Sequence, residues 1–595
     1  KKKEIRGKSQ EIQNDLEKVM RKIRKIKSEA QEELKEEEKQ IALTVIQPII
    51  DNLKIKYEDC QEIKEYLDEV QKDVIENLEQ FKASQNDQRS HAAMPMPFMQ
   101  QDDESFFKRY QVNLLVNNEK KEGAPVVYEP NPSYYNLFGK IEGEGNFGTI
   151  TTDFTMIKGG AVHKANGGYL ILKAKDVLTK PFAWETLKRT LINQEIKIEN
   201  IGEQYRAMPI KTLKPQAFPL NLKVIMIGNP MLYQLLYNYD EEFEKLFKIR
   251  ADFDVEMDRS KKHMQEFAAF IASVSNQEDI KDFTAGAVSK MIEYSSRITG
   301  DSKKMSTRFN EILELLYEAD VWAGSDSEYV RKEDVHQTIA KKEKRDNLAE
   351  EKIQEMIDRG KILVDVDGEV EGQINGLAVY QTGQYTFGKP SRITAQTYLG
   401  QEGVINIERE VDMSGKIHNK GVMILSGYLG SKYAQNKPLS LSASLAFEQN
   451  YGGIDGDSAS CAELMALLSA ISGIPIKQKF AITGSMNQKG EVQPIGGVNE
   501  KIEGYFKTCQ VKGLTEDQGV IIPVQNKENL MLKDEVIKLV EKNKFNIYAV
   551  ENIDEAIELM MDKPAQVVHD RVEKALDEFA RKASEFKKTG NDNQE

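Results

Sequence analysis

The chain has 595 residues, 30% of them charged, and a formal net charge of −14 at pH 7. That length exceeds what one hydrophobic core organises, so three or four domains are expected. The acidic balance argues against a dedicated nucleic-acid binder, and no apolar run approaches the roughly 18 residues of a membrane-spanning helix.

Residues 1–81 are highly charged, lack glycine after Gly7 and contain one proline, Pro48. Leu16, Met20, Ile23 and Ile26 recur at three- and four-residue steps, as a helix packed along one side requires. This pattern predicts two or three long helices, arranged as an antiparallel coiled-coil hairpin turning near residues 48–57. The basic opening reads as a solvated helix face. It carries no secretory signal and no methionine, which suggests that an N-terminal part lies upstream. Residues 83–106, rich in Met and Pro, are expected to be a mobile loop that touches unfolded substrate or merely connects. Cys60, Cys461 and Cys509 lie far apart, match no zinc spacing and fit the reducing cytoplasm.

From Tyr110 the period changes. YQVNLLV and APVVYEP read as strands, GGYLIL as a short apolar strand followed by Asp176, and LKVIMIGNP as a second buried strand ending near Asn229. FEKLFKIRADFDVE sets Arg250 after a helix, and a helical stretch over about 259–342 starts one of its helices at Arg308. KKEKRDNLAEEKIQEMIDRG reads as a helix joining two domains. Beyond it KILVDVDG, GLAVYQT, YTFGKPSRITAQTYL and GVINIERE read as strands, after which helices alternate with strands. The tail after Pro564 has Val568, Val572, Leu576 and Phe579 at helical spacing, ahead of a polar end.

Chemistry concentrates between Tyr451 and Lys501. Ser458 stands among small residues just ahead of Leu464, Leu467, Leu468 and Ile471, which have helical spacing. A loop feeding a helix N-terminus there offers free N–H groups to a developing oxyanion. A serine needs a base, and none of the six histidines lies between His418 and His569. Lys501 is the candidate, provided that burial brings its pKa to roughly 7–8, and Thr483 could aim its amine. The residues alone leave other readings open. Ser458 could be an ordinary N-cap and Lys501 a surface charge. Cys461 could be a nucleophile or a packed thiol. His418, in what reads as a polar turn, could be the base. Asp455, Asp457 and Glu448 are candidate supports for Lys501.

GDSAS, AITGSMNQKGEVQPIGG and GGVNEK resemble the proteolytic domain of the Lon family of ATP-dependent proteases. The resemblance implies a Ser-Lys dyad, with the nucleophile at Ser458, the base at Lys501 and the lysine-orienting threonine at Thr483. The form DGDSAS is similar to the B and C branches of that family. The order of elements from 110 onward resembles the later half of an AAA+ module and its lid. There Asn229 takes the place of a water-positioning sensor, Arg250 of an arginine finger and Arg308 of a second sensor. Two departures stand out. No G-x-x-x-x-G-K-[ST] loop occurs in these residues, and Lys173 and Ala174 stand where Asp-Glu would hold Mg²⁺, with Asp176 as a partial substitute. These departures argue against robust ATP hydrolysis: the peptidase chemistry is expected to need no cofactor, and ATP with Mg²⁺ could still bind as a structural ligand.

The expected fold is an α/β multidomain chain. It comprises a helical coiled-coil insertion (1–109), a partial AAA+ α/β core (110–255), a helical lid and connecting helix (256–349), an α/β Lon-type protease domain (350–562) and a C-terminal helix and tail (563–595). The resemblance further implies a cytoplasmic homo-hexameric ring acting on unfolded protein or peptide substrates, with no membrane or nucleic-acid partner. The alternative is a ring-forming remodelling factor or holdase with a vestigial site.

Overall fold

The computed structural model describes residues 1–86, 106–119, 122–146, 149–201, 213–383 and 385–592. Most of the Met/Pro-rich segment lies outside them. The chain forms two compact units, Lys1–Ala251 and Asp252–Glu595.

The first unit opens with α1 (Lys2–Lys56), which runs through Pro48 without breaking. A proline removes only its own N–H donor, and the turns on either side carry the helix on. The chain reverses instead at residues 57–60, ahead of α2 (Gln61–Glu76) and α3 (Leu78–Asn86). Lys54 pairs with Asp68, Gln47 with Gln71, and Glu38 with Lys82, so α2 and α3 run back along the second half of α1. They reach no further, and the expected stripe of Leu16, Met20, Ile23 and Ile26 is exposed rather than packed. Next comes a parallel sheet of β1 (Val126–Tyr128), β2 (Tyr169–Lys173) and β3 (Lys223–Ile227), in that order. Leu170 and Leu172 of β2 anchor its core with Trp184 and Leu187. β3 is only half buried, since Ile225 and Ile227 are exposed.

The second unit begins with a helical group: α4 (Lys261–Gln277), α5 (Ala285–Thr299), α6 (Phe309–Ala323) and α7 (Lys332–Asp346). Phe267, Met291, Leu315 and Leu316 form their shared core. The connecting stretch is two helices meeting at Asn347, α7 and α8 (Leu348–Asp358).

A seven-stranded sheet follows, built from β4 (Gln373–Thr382), β5 (Tyr385–Leu399), β6 (Gly403–Asn406), β7 (Leu441–Phe447), β8 (Phe480–Ile482), β9 (Gly519–Pro523) and β10 (Asn546–Val550). Its order is β6-β7-β5-β4-β8-β9-β10. Strand side chains alternate between faces, and here each face has its own core. Ile374, Phe480, Ile482 and Ile521 point to one core, while Leu377, Ala481, Val520 and Ile522 point to the other. The first core holds α9 (Lys416–Tyr433), α10 (Ser460–Ser472) and α11 (Ala565–Asp592); the second holds α12 (Val498–Lys512). α10 is buried on all sides, with Leu464, Leu467 and Leu468 fully buried, each such burial stabilising by about 1.5–3 kcal/mol. Val568, Val572 and Leu576 dock α11 against this core.

Three expected strands differ. Residues 111–116 and 361–368 belong to no strand, and GVINIERE is a strand only to Asn406 before turning into a short helix, Ile407–Glu410. Among the described residues no helix is long and apolar enough to cross a membrane.

Candidate active site

Two helix starts, one from each face of the sheet, meet beyond the end of β8. On one face the loop 451–457 carries Gly453 and Gly456 at φ of +79° and +92°, a region that glycine enters freely. Ser458 follows, one residue before the N-cap Ala459 of α10. Ser458 does not cap the helix. Its carbonyl accepts hydrogen bonds from Gly484 N (2.9 Å) and Thr483 Oγ1 (3.3 Å), which tie it to the end of β8.

On the other face Lys501 lies in the first turn of α12, whose N-cap Gly497 has φ +68°. The helix sits unusually close to β5. A Cβ at Gly388 would strike the Glu500 carbonyl, and one at Gly504 would strike the Gly388 carbonyl. This close approach buries Lys501 to 3% exposure. Its Nζ lies 2.8 Å from Ser458 Oγ and 3.1 Å from Thr483 Oγ1. Burial lowers its pKa from 10.5 to about 8, against the opposing pull of the Asp457 and Glu500 carboxylates.

The remaining candidates separate. Asp455 Oδ1 accepts from Ile417 N (3.1 Å), His418 N (3.2 Å) and Gly456 N (2.9 Å), fastening the loop to the start of α9. These N–H donors hold its carboxyl below the usual range. Asp457 lies next to Ser458 and acts on Lys501 by charge alone. Glu448 does not support Lys501: Arg392, 3.6 Å away, is its ion partner. Cys461 is a packed thiol that donates to the Ser485 carbonyl (3.6 Å), and burial pushes its pKa to about 12. His418 sits inside α9 rather than in a polar turn, because the helix begins at Lys416. It is 1% exposed and faces Glu463, 3.4 Å away.

Of the four nucleotide-site candidates, Asp176, Asn229 and Arg250 lie in the first unit and Arg308 in the second. Asp176 lies in the first turn of the helix Ala174–Thr179, which starts directly after Lys173. The Asn229 side chain caps the helix Pro230–Tyr239 by accepting from Leu232 N (2.8 Å). The Arg250 guanidinium lies over the Tyr233 ring at 4.5 Å. Arg308, in the other unit, contacts Glu311 at 3.5 Å. A lysine and an alanine at the end of β2 supply no Mg²⁺ ligand, so the residues present do not fit a Mg-nucleotide hydrolysis site. Among the described residues no group of three or more His, Cys, Asp or Glu side chains could hold a metal.

Sequence reasoning missed the surrounding frame. On α12, Glu503 receives a bidentate pair from Arg297 of α5 (2.7 and 2.8 Å). Arg297 also donates to the Met531 carbonyl (2.6 Å), and Lys533 N donates to Glu503 (2.9 Å). The helix that holds Lys501 is thus clamped to the helical group before the sheet. Nothing local in the sequence pairs positions 297 and 503. At the start of α9, Gly415 and Gly421 meet the loop that leads to Ser458, and their three-residue spacing around His418 was the available signal.

Three family models match the chain. They are a LonB-like AAA domain over residues 122–254, an archaeal LonB AAA+ ATPase lid domain over 282–345, and a Lon protease (S16) C-terminal proteolytic domain over 452–563. A Lon protease homolog of Escherichia coli K12 is 34% identical over 430 residues, covering 71% of this chain and 72% of that protein. A Lon protease homolog of Haemophilus influenzae is 35% identical over 412 residues, 68% of this chain and 66% of its own length. An archaeal Lon protease of Archaeoglobus fulgidus is 28% identical over 465 residues, 76% and 70% respectively.

Proposed function

The chain belongs to the Lon protease family, and from that premise we propose that it is a serine endopeptidase working through Ser458 and Lys501. One observation carries this reading: a buried amine, Lys501 Nζ, 2.8 Å from a hydroxyl, Ser458 Oγ. Bringing the lysine pKa to about 8 costs about 3 kcal/mol, a cost that makes sense where the neutral amine is used.

Ser458 Oγ attacks the scissile carbonyl carbon while Lys501 Nζ takes its proton. Backbone N–H groups near Ser458 hold the oxyanion. Collapse of the tetrahedral adduct breaks the C–N bond, and Lys501 returns the proton to the departing amine. Water then attacks the acyl ester with Lys501 again as base, freeing Ser458. Thr483 Oγ1 aims the amine, and Asp455 holds the loop in place. No step runs through a nucleotide. The substrates proposed are unfolded proteins or peptides, met inside a cytoplasmic homo-hexameric ring, with the α1–α3 region as a coiled-coil arm.

Ser458→Ala is expected to abolish cleavage of casein and of unstructured peptides, and labelling by a fluorophosphonate probe, while assembly is unchanged. Full activity in that variant overturns the assignment of the nucleophile. A wild-type protein that the probe does not label favours a holdase with a vestigial site.

A further inference from the structure

One face of α9 supports the nucleophile loop. Gly415 and Gly421 allow contact: a Cβ on the first would strike the Asp455 carboxyl, and one on the second the Ser460 hydroxyl. Between them lies His418. Its ring lies close enough to the Gly456 backbone, two residues before Ser458, for that backbone to favour the protonated ring. Its Nε2 faces Glu463 Oε1 at 3.4 Å, and both side chains are 1% exposed. Glu463 stands on α10, in the turn that follows Ser458. Neither Nε2 nor either Glu463 oxygen makes a hydrogen bond, so the 3.4 Å contact is a close approach of two buried polar groups.

A buried carboxylate without partners is strongly disfavoured. Glu463 therefore keeps its proton, and the acceptor in front of it is Nε2. Burial lifts its pKa to about 8, with the like charge of Glu408 adding to the effect. The same burial lowers that of His418, so the pair is neutral. The other titratable groups around the pair are Glu408, whose Oε1 accepts from Phe447 N (2.6 Å), Asp455, Asp457 and the Cys461 thiol.

We propose that His418 and Glu463 are positioning residues for the reaction at Ser458. The His418 ring braces the Gly456 backbone, and the protonated Glu463 carboxyl stands against Nε2. Loop, α9 and α10 are thereby locked so that Ser458 faces Lys501. The inference rests on the peptidase reading and adds a consequence to it. When pH rises past about 8, Glu463 loses its proton, a bare charge is left buried against Nε2, the packing of α9 on α10 loosens, and activity falls on the alkaline side.

The test uses the full chain, a quenched fluorescent unstructured peptide and pH 6–10, with Ser458→Ala as control. Wild type should fall at least threefold between pH 9 and 10. Glu463→Gln, which keeps a neutral donor at all pH, should stay flat there and lie within threefold of wild type at pH 8. His418→Phe should lose at least tenfold in kcat with KM unchanged, and His418→Asn, which retains a polar group beside the Gly456 backbone, should recover at least threefold of that loss. An alkaline fall of equal size in Glu463→Gln, or His418→Phe within twofold of wild type, overturns the inference provided that Ser458→Ala is inactive. An active Ser458→Ala would instead remove the peptidase reading itself. Should Glu463→Gln fail to fold, the comparison of His418→Asn with His418→Phe decides.

Discussion

If Lys501 acts as the base, its ionisation sets the acid side of the pH profile, and Asp457 is the handle on it. With a pKa of about 8, the neutral fraction of the amine is roughly 1% at pH 6 and roughly 9% at pH 7. Peptide hydrolysis should therefore rise about ninefold over that interval, with unit slope on a logarithmic plot. The Asp457 carboxylate holds the value up, while burial draws it down. Replacing Asp457 by Asn removes the charge and keeps the shape. The Ser460 hydroxyl bonds the Asp457 backbone carbonyl (2.6 Å), so the substitution leaves that contact alone. Loss of one nearby charge of this kind is worth about 1 kcal/mol, or roughly 0.7 of a pKa unit. The acid limb of kcat/KM should move down by that amount, and activity at pH 6 should increase about fivefold. The assay is steady-state cleavage of an unstructured peptide at constant ionic strength. An acid limb that stays in place or moves up in Asp457→Asn refutes the reasoning, because it means that Lys501 does not govern the step.

The same buried amine makes a stability prediction of opposite sense to its catalytic one. Its folded pKa lies below the unfolded value, so folding is penalised while the unfolded lysine is protonated. The penalty is full below about pH 8 and vanishes as pH approaches 10.5. Lys501→Met should be inactive yet more stable at pH 7 by about 1–2 kcal/mol, the ~3 kcal/mol desolvation relief less the lost hydrogen bonds. Urea midpoints should show that advantage shrinking toward pH 10. Arg297→Met strands the buried Glu503 carboxylate and should cost about 3–5 kcal/mol, while Arg297→Met/Glu503→Met should recover most of it; equal urea midpoints for the two variants would count against the clamp.

The sequence pattern placed α10, β4 and β5 because each carries its own periodicity and the turn residues that bound it. It failed where side chains stand in for strand partners. KILVDVDG alternates like a strand, and Val364 and Val366 are indeed buried. Its backbone, however, is bonded by side-chain amides. Gln449 accepts from Leu363 N (2.7 Å), Asn375 donates to the Asp365 carbonyl (2.8 Å) and Gln518 donates to the Val366 carbonyl (3.0 Å). In YQVNLLV the Asn113 amide similarly reaches the carbonyls of Phe154 and Ile157. Hydrophobic alternation reports that a segment is extended and half buried. It does not report whether the ladder is completed by another strand.

Ser458, Thr483 and Lys501 stand in one short stretch, and a local motif could single them out. What makes an ordinary lysine a usable base is spread far wider. Lys501 has to lose its water while Ser458 remains reachable by a peptide, and a loop alone cannot separate two neighbouring groups in that way. The fold does so by taking the hydroxyl from one face of the sheet and the amine from the other. Gly388 and Gly504 then let α12 settle onto β5 until the amine is buried. A side chain at either glycine would lift the helix, admit water and return Lys501 toward its ordinary pKa. The chemistry of the proposed dyad is thus set by two positions without side chains, more than 100 residues apart in sequence, which only the packing reveals.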